Sequence, residues 1–174
     1  GNTTVVITGH NFAPPCTNCY INKDLWCKFG TAAKVPAYYD SNNQISCVSP
    51  PYPAAGLVSI TVINTDAIYL HKPAFRYELR AVTVHSSPLL GPTRGGTTVT
   101  VDGANFNLQT NTFCRFGTLP VAADFLSTSL TTRLQCVTPP MPAGFSALMV
   151  TSNDQNYFDD GLTFEHIKWP TLIS

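Results

Sequence analysis

The sequence predicts an all-β protein made of two β-sandwich domains in tandem. The chain has 174 residues, and the segment Gly95–Phe106 repeats the pattern of Gly1–Phe12, with seven of twelve residues identical, 94 positions later. Short β-branched segments alternate with Gly and Pro turn signals about every ten residues, which is typical of sandwich strands. No segment has the apolar period of an amphipathic helix. Each copy spans roughly 85 residues, an ordinary size for an independent domain.

The repeat continues through two cysteine motifs. Cys27–Thr31 (Cys-Lys-Phe-Gly-Thr) returns as Cys114–Thr118 (Cys-Arg-Phe-Gly-Thr). Cys47–Pro51 (Cys-Val-Ser-Pro-Pro) returns as Cys136–Pro140 (Cys-Val-Thr-Pro-Pro). Because several motifs recur in the same order, the chain consists of two copies of one unit.

The second copy begins earlier in the repeat than the first. Leu79–Ser86 has the composition of an opening strand, for which the first copy has no counterpart. We therefore expect domain 1 at residues 1–79 without its first strand, domain 2 at 80–166, and the start of a further repeat or a linker at 167–174. Almost no linker separates the two copies, so we expect a stiff rod cut from a longer array.

Each copy is predicted to contain the same succession of strands. In the first strand, Val5 and Ile7 align with Val99 and Val101, and these alternate positions are expected to face the core. Pro-Pro ends the strand that carries the second cysteine, because proline donates no ladder hydrogen bond. The other predicted strands are 26–30, 36–39, 45–48, 57–63 and 74–77 in the first copy, and 113–117, 121–126, 134–137, 145–150 and 162–165 in the second.

An Asn-Phe pair follows the first strand of both copies. Asn11 and Asn105 are expected to shape a turn through local hydrogen bonds. The Phe that follows each Asn is expected to fill the core beneath it. The alignment predicts core positions for two further aromatic pairs: Trp26 with Phe113, and Tyr38 with Phe125.

Composition excludes some functions. Charged residues make up 11% of the chain, against about 25% in typical domains, and the formal net charge is zero. A nucleic-acid partner is not expected, since binding phosphates requires a basic stripe. No apolar run approaches the roughly 18 residues that cross a bilayer, and this stretch has neither a signal peptide nor an initiator Met. Low charge and an even number of cysteines predict an extracellular or cell-surface protein.

The six cysteines fall into three pairs. Cys27 is expected to bond Cys47, and Cys114 to bond Cys136, because the same two positions recur in both copies. Each bridge would stabilise its domain by roughly 3 kcal/mol. The remaining pair, Cys16 and Cys19, most simply forms a third bridge. The alternative is a zinc site of four thiolates in the first copy, but two of those cysteines have metal-free counterparts in the second copy. We expect no cofactor and no metal.

A longer loop distinguishes the first copy. Fourteen residues separate Phe12 from Cys27, whereas seven separate Phe106 from Cys114. Enlarged loops on a fixed scaffold often carry function, although a decorated loop without a partner has the same appearance. The candidate interaction residues in this loop are Pro14, Pro15, Thr17, Asn18 and Tyr20.

A sequon stands at the start of the chain. Asn2-Thr3-Thr4 would accept an N-glycan at Asn2 in a eukaryotic secretory route. The alternative is a chance match, because the chain is rich in Thr.

No enzymatic motif is present, so we expect no catalytic activity and no catalytic residues. The four histidines occupy unrelated repeat positions and are predicted to lie at the surface: His10, His71, His85 and His166. One acidic cluster offers oxygen ligands for calcium, but it has no counterpart in the first copy and lacks a recognised loop spacing: Asp154, Asn156, Asp159 and Asp160.

Together these motifs resemble the IPT/TIG family of immunoglobulin-like domains. The family pattern contains a Gly-Pro-x-x-Gly-Gly-Thr opening, Gly-x-Asn-Phe, Cys-x-Phe-Gly and a Cys-x-x-Pro-Pro turn followed by Gly. The resemblance implies two immunoglobulin-like sandwiches. The matching segments are Leu90–Thr97, Gly103–Phe106, Cys114–Gly117 and Cys136–Gly144 in the second copy, and Gly9–Phe12, Cys27–Gly30 and Cys47–Gly56 in the first.

The resemblance implies a non-catalytic interaction module, because such domains form parts of large surface proteins. We expect a stiff rod for adhesion or filament assembly, with other protein chains or copies of itself as partners. One alternative is the stalk of a plexin-like or growth-factor-receptor-like ectodomain. Another is an accessory carbohydrate-binding module of a secreted enzyme, which would use exposed tyrosines: Tyr39, Tyr52 and Tyr69.

Overall fold

The computed structural model describes residues 1–12, 25–64, 67–107, 112–126 and 132–168. All regular structure in these ranges is β-strand, and no helix there is long and apolar enough to span a membrane. The all-β prediction is confirmed. The chain divides into two compact units, Gly1–Leu79 and Arg80–Ser174.

Unit 1 is a six-stranded antiparallel sheet in the order β1-β4-β3-β2-β5-β6. The middle strand, β3, pairs with β2 through Val35 and Pro36, and with β4 from Ala37 onward. This change of partner lets one sheet fold into two layers around a common core. The strands are β1 (Thr4–Thr8), β2 (Trp26–Phe29), β3 (Val35–Ser41), β4 (Gln44–Val48), β5 (Gly56–Asn64) and β6 (Ala67–Tyr77).

Unit 2 repeats this arrangement and adds two strands, in the order β7-β9-β12-β11-β10-β13-β14-β8. The added β7 pairs antiparallel with β9, and the short β8 pairs parallel with β14. The sequence predicted an opening strand at this place but not its division in two. The strands are β7 (Val82–Ser87), β8 (Leu90–Pro92), β9 (Thr98–Ala104), β10 (Phe113–Phe116), β11 (Leu119–Phe125), β12 (Arg133–Val137), β13 (Gly144–Thr151) and β14 (Thr163–Ile167).

Each unit has its own core, built from the inward positions of equivalent strands. The predicted alternation in the first strand is confirmed, since Ile7, Val99 and Val101 are buried and Val5 packs against the core of unit 1. Asn11 and Asn105 both have φ of 62°, a left-handed turn that Asn tolerates. The buried core residues are Ile7, Cys27, Phe29, Ile45, Cys47, Ile60, Val62 and Tyr77 in unit 1, and Val99, Val101, Phe106, Cys114, Phe116, Leu134, Cys136, Leu148, Val150 and Phe164 in unit 2.

A disulfide crosses each core. Cys27 on β2 is bonded to Cys47 on β4, with Cα atoms 6.4 Å apart. Cys114 on β10 is bonded to Cys136 on β12, with Cα atoms 6.2 Å apart. In both units β3 or its counterpart β11 lies between the bridged strands in the sheet order. The bridge therefore fastens the two layers of each sandwich to one another. The pair Cys16 and Cys19 lies outside the described residues.

The predicted core position of Tyr38 is wrong. Tyr39 pairs with Ile45, and Phe125 pairs with Leu134, the counterpart of Ile45. The partner of Phe125 in the repeat is therefore Tyr39, and the alignment was displaced by one residue. A slip of one residue moves a strand side chain to the opposite face, and Tyr38 accordingly lies on the surface with 59% of its area exposed.

Trp26 was also predicted to lie in the core, and it does not. Its neighbours Cys27 and Phe29 point inward, so the pleat turns Trp26 to the outer face, where it is half-buried. The ammonium nitrogen of Lys34 lies 4.3 Å from the Trp26 ring centroid. The Trp26 ring therefore packs under a cation on the surface of unit 1.

Candidate interaction surfaces

Asn2 lies two residues before the start of β1, next to an open cleft of about 560 Å³ in unit 1. Its N–H donates to the Ser49 carbonyl oxygen at 2.8 Å, and its φ is 73°. Asn2 is exposed and corresponds to Gly96 in unit 2, where φ is 85°. The cleft is lined by Gly1, Asn2, Val35, Pro36, Tyr38, Val48, Ser49, Pro50 and Pro51.

The outer face of β1, β4 and β3 in unit 1 is apolar at the positions beside this cleft. Val6 pairs with Ser46, which pairs with Tyr38, so the three side chains share one face. Val48 lies on the same face two residues beyond Ser46. Val6 is 54% exposed and Val48 is 37% exposed. We call this face, defined by Val6, Val48 and Tyr38, the tyrosine face.

The same face in unit 2 is more polar, although Val137 stands there at the position of Val48 and is 50% exposed. Thr100 stands at the position of Val6, Gln135 at that of Ser46, and Asp124 at that of Tyr38. The Gln135 side-chain amide donates to the Thr100 hydroxyl at 3.3 Å. Because the two units share a fold, the exposed Val6 and Tyr38 are properties of the sequence of unit 1 and not requirements of the scaffold.

A second apolar surface recurs in both units. Leu57 follows Gly56 at the start of β5, and Phe145 follows Gly144 at the start of β13. These two residues are 61% and 74% exposed. Since a large apolar side chain is left in solvent at the same place in two divergent copies, the position is unlike an isolated surface residue. We call the surface around Leu57 the repeat-edge surface of unit 1 and the surface around Phe145 the repeat-edge surface of unit 2.

The two repeat-edge surfaces carry opposite charges. Leu57 pairs across the sheet with Arg76, whereas Phe145 pairs with Glu165. Glu165 also pairs with Leu90 on β8, which is half exposed. Neither Arg76 nor Glu165 forms an ion pair within the described ranges. Unit 1 therefore presents Leu57 beside a cation, and unit 2 presents Phe145 beside an anion.

The two tyrosines of the carbohydrate alternative whose side chains the structure describes, Tyr39 and Tyr52, are both half-buried. The Tyr52 ring stacks on Tyr77 with centroids 4.7 Å apart, and its hydroxyl lies 3.1 Å from that of Thr31. Tyr39 is half-buried on the core side of β3. The side chain of Tyr69 and the candidate loop residues of 13–24 lie outside the description. Tyr38, which the sequence placed in the core, is the exposed aromatic beside the cleft.

The acidic cluster is divided among structural roles. Asp160 accepts hydrogen bonds from the Thr83 N–H at 2.8 Å and the Thr83 hydroxyl at 3.1 Å, and it also pairs with Arg80. Asp159 accepts from the Gly161 N–H at 2.8 Å. In the part of the chain that the structure describes, no three His, Cys, Asp or Glu side chains are grouped so that they could hold a metal ion.

Asp154 belongs to a different arrangement. It accepts a hydrogen bond from the Tyr157 hydroxyl, and the Arg115 guanidinium lies 3.9 Å from the Tyr157 ring centroid. Burial, followed by the bond to Asp154, raises the pKa of Tyr157. Arg115 also donates to the Met149 sulfur at 3.1 Å. These contacts hold the β13–β14 connection against β10 and β13.

The surface prediction for His166 is wrong. His166 is only 2% exposed and lies between the rings of Phe164 and Phe116, with centroids 5.0 and 6.4 Å away. Its Nε2 lies 3.0 Å from the Ser146 hydroxyl oxygen, and its Nδ1 is buried without a partner among the described residues. Burial lowers the pKa of His166. His166 occupies the place of Tyr77 in unit 1, because each pairs with the glycine that begins the preceding strand.

Three solved structures illustrate what this chain is similar to. The plexin A4 full extracellular region, domains 1 to 10, is 18% identical, with a TM-score of 0.57, covering 94% of this chain and 15% of that one. A second structure of that region is 22% identical, with a TM-score of 0.48, covering 96% and 17%. A mixed-linkage glucan utilization protein of Bacteroides ovatus, in complex with a heptasaccharide, is 14% identical, with a TM-score of 0.34, covering 94% and 40%.

The likeness to the first of these structures shows a shared fold alone, and the chain spans 15% of that plexin A4 chain. No curated protein matches the sequence. The sequence profile of the IPT/TIG domain matches residues 1–77 and 82–166, which together make up most of the chain. The chain therefore belongs to the IPT/TIG domain family, which it carries as two tandem copies.

Proposed function

We propose that this chain is a non-catalytic interaction module of an extracellular or cell-surface protein, and that it binds other copies of itself. The two core disulfides support the location, because such bridges form and persist in oxidising compartments. Membership of a family of immunoglobulin-like modules supports the non-catalytic role. If copies assemble, the protein can serve in adhesion or in a filament. That the tandem domains form a stiff rod stays a prediction.

The observation that carries the proposal is the opposite charge of the two repeat-edge surfaces. Leu57 beside Arg76 in one copy complements Phe145 beside Glu165 in another copy. Contact would remove two large apolar side chains from water and bring a cation to an anion. Unit 1 contains five basic and four acidic residues, and unit 2 contains five and six, so the net charges of the units also have opposite signs.

Such a contact joins two different surfaces, so it is heterologous. A heterologous contact closes into a ring if the rotation between copies allows it, and otherwise it propagates as a chain. Either outcome would suit an adhesive or filamentous protein, and the two are distinguished by the size of the assembly.

Sedimentation velocity of the disulfide-bonded protein over a range of concentrations tests the proposal. We expect the average mass to rise with concentration. Phe145→Ser and Leu57→Ser should each weaken association by about tenfold or more, as truncation of a central interface residue does. Val84→Ser is the matched control, because Val84 is 71% exposed but lies on β7. A monomer at all concentrations, or equal weakening by the control, would refute self-association.

The two alternatives from the sequence predict other results. A receptor stalk requires a membrane segment elsewhere in the full-length protein, which sequencing of the native polypeptide would reveal. A carbohydrate module requires several aromatic faces on one surface, whereas the Tyr52 ring is already stacked on Tyr77. Glycan binding that is lost in Tyr38→Ala, with a monomeric wild-type protein, would favour the carbohydrate module over the self-binding one.

A further inference from the structure

We propose that Asn2 carries an N-linked glycan whose first sugars lie over the tyrosine face and fill the cleft beside it. The proposal rests on secretion, as in the proposed function, but not on self-association. It assigns an occupant to a surface that otherwise exposes an aromatic ring and two valines to water.

Asn2 and the tyrosine face meet at the cleft. Asn2, Tyr38 and Val48 all line it, together with Pro36 and Pro51. A glycan attached to Asn2 therefore starts at the rim of the cleft, and its first residue need not cross any protein to reach the Tyr38 ring. The cleft volume of about 560 Å³ is within the range of roughly 300–1,000 Å³ that holds small organic ligands.

The two units differ in the way that this proposal requires. Unit 1 has the sequon and the exposed Val6 and Tyr38, whereas unit 2 has Gly96 in place of Asn2, and Thr100 and Asp124 at the positions of Val6 and Tyr38; Val137 alone of the three positions stays apolar. No other Asn in the chain begins an Asn-x-Ser/Thr sequon. If Asn2-Thr3-Thr4 were a chance match, no link between the sequon and the polarity of the adjacent face would be expected.

The chemistry of the face suits a sugar. The axial C–H groups of a pyranose ring form an apolar surface that packs on an aromatic ring and on proline and valine side chains, while the hydroxyl groups remain in water. Burial of the exposed Tyr38 ring, Val48 and Pro36 would supply a hydrophobic gain without a protein partner. The Asn2 backbone holds a left-handed conformation that Asn tolerates.

The glycan would also direct assembly. A sugar layer over the tyrosine face would keep proteins from docking there. The repeat-edge surfaces, which lie on β5, β6, β13 and β14, belong to the opposite layers of the sandwiches. The repeat-edge surfaces would remain free of sugar. In unit 1 the tyrosine face would therefore be covered, while the repeat-edge surface at Leu57 would be available for self-association.

The test uses the protein secreted from eukaryotic cells. Peptide mapping by mass spectrometry gives the occupancy of Asn2, and nitration of tyrosines with tetranitromethane, mapped in the same way, reports the accessibility of Tyr38. We expect Asn2 to be occupied. Nitration of Tyr38 should be slower by roughly fivefold or more than after native enzymatic deglycosylation, because sugar contact covers the ring. Free N-acetyltyrosinamide added to both samples is the internal control and should react at the same rate in both.

Two variants separate coverage from folding. Thr4→Val removes the sequon at an exposed position and should give the fast nitration of the deglycosylated protein. Tyr38→Asp places on the tyrosine face the residue that unit 2 has there. Any difference in melting temperature between the glycosylated and deglycosylated wild type should be absent in this variant. An unoccupied Asn2, or equal nitration of Tyr38 with and without the glycan, would overturn the proposal. Because sedimentation reports self-association separately, either proposal can fail while the other holds.

Discussion

Acidification should lower the stability of unit 2 because His166 is buried there. Unit 1 has Tyr77 at the equivalent position and should lose no stability through that residue. His166 is buried between Phe164 and Phe116, and its only described hydrogen-bond partner is the Ser146 hydroxyl. Burial holds its pKa below the ordinary value, so the folded state disfavours the imidazolium. The unfolded chain takes up that proton once the pH falls below about 6.5. The stability is therefore complete above that pH and is lost as the pH falls toward the folded pKa.

The magnitude follows from one proton. If His166 stays neutral in the folded protein, the free energy of unfolding of unit 2 falls by about 1.4 kcal/mol between pH 7.5 and pH 5.5. In unit 1 the equivalent residue is Tyr77, whose pKa is raised above 10.0 by burial and by Tyr52. Tyr77 remains neutral throughout this range and contributes no such slope. It also donates a hydrogen bond to the Pro50 carbonyl oxygen at 3.0 Å.

Urea unfolding followed by methyl NMR signals separates the two units. Leu148 and Val150 report unit 2, and Ile60 and Val62 report unit 1. His166→Tyr introduces the residue of unit 1 and should remove the acid sensitivity of unit 2. An equal loss of stability at pH 5.5 in the wild type and in His166→Tyr would refute the assignment to His166.

Three further predictions concern the sandwiches themselves. Replacing Cys114 and Cys136 together by Ala should lower the free energy of unfolding of unit 2 by roughly 3 kcal/mol, measured by urea denaturation, while unit 1 keeps its midpoint. Asp160→Asn should cost unit 2 about 1–3 kcal/mol in the same measurement because Asp160 binds Arg80 and Thr83, whereas Asp159→Asn at the neighbouring exposed position should have little effect. Gly103→Ala should destabilise unit 2 by about 1–3 kcal/mol, because a methyl group there would overlap the Val82 carbonyl oxygen on β7. The control is Gly9→Ala in unit 1, where the methyl group would meet only the Phe12 ring, at 2.8 Å. Equal losses of stability in the two variants would contradict the role of the Val82 contact.

The repeat made the fold predictable from sequence. Because equivalent positions of two copies of one fold have the same structural role, the repeat identified the first-strand core residues, the Asn turns and the four recurring cysteines. Ile7 and Val101 are buried as the alternation predicted. Strand ends were less certain, and β6 begins at Ala67, earlier than the predicted 74–77.

The errors came from alignment without register. Tyr38 and Phe125 were aligned across loops of different length, and a shift of one residue reversed the face of Tyr38. Trp26 was placed in the core because it aligns with Phe113, although the buried neighbour Cys27 turns Trp26 to the opposite face. His166 lies two residues after Phe164, so both side chains face the core. The equivalence of His166 with Tyr77 is visible only in the structure, where His166 pairs with Gly144 and Tyr77 with Gly56.

The interaction surfaces could not be predicted, because they depend on cross-strand neighbours. Leu57 and Arg76 are 19 positions apart in the sequence, and Phe145 and Glu165 are 20 apart, yet each pair lies side by side. The apolar tyrosine face likewise joins β1, β4 and β3, whose residues are not adjacent in the chain. The predicted loop at Pro14, Pro15, Thr17, Asn18 and Tyr20 lies outside the described residues and remains a prediction.

A charge-exchange experiment tests self-binding through the repeat-edge surfaces most directly. Arg76→Glu alone and Glu165→Arg alone should each abolish concentration-dependent assembly in sedimentation velocity, because each places like charges at every contact. Mixing the two variants in equal amounts should restore assembly. The two substituted positions then meet with their charges exchanged, and the native Arg76 of one variant meets the native Glu165 of the other at the next contact. If the mixture stays monomeric while the wild type assembles, copies associate through another surface.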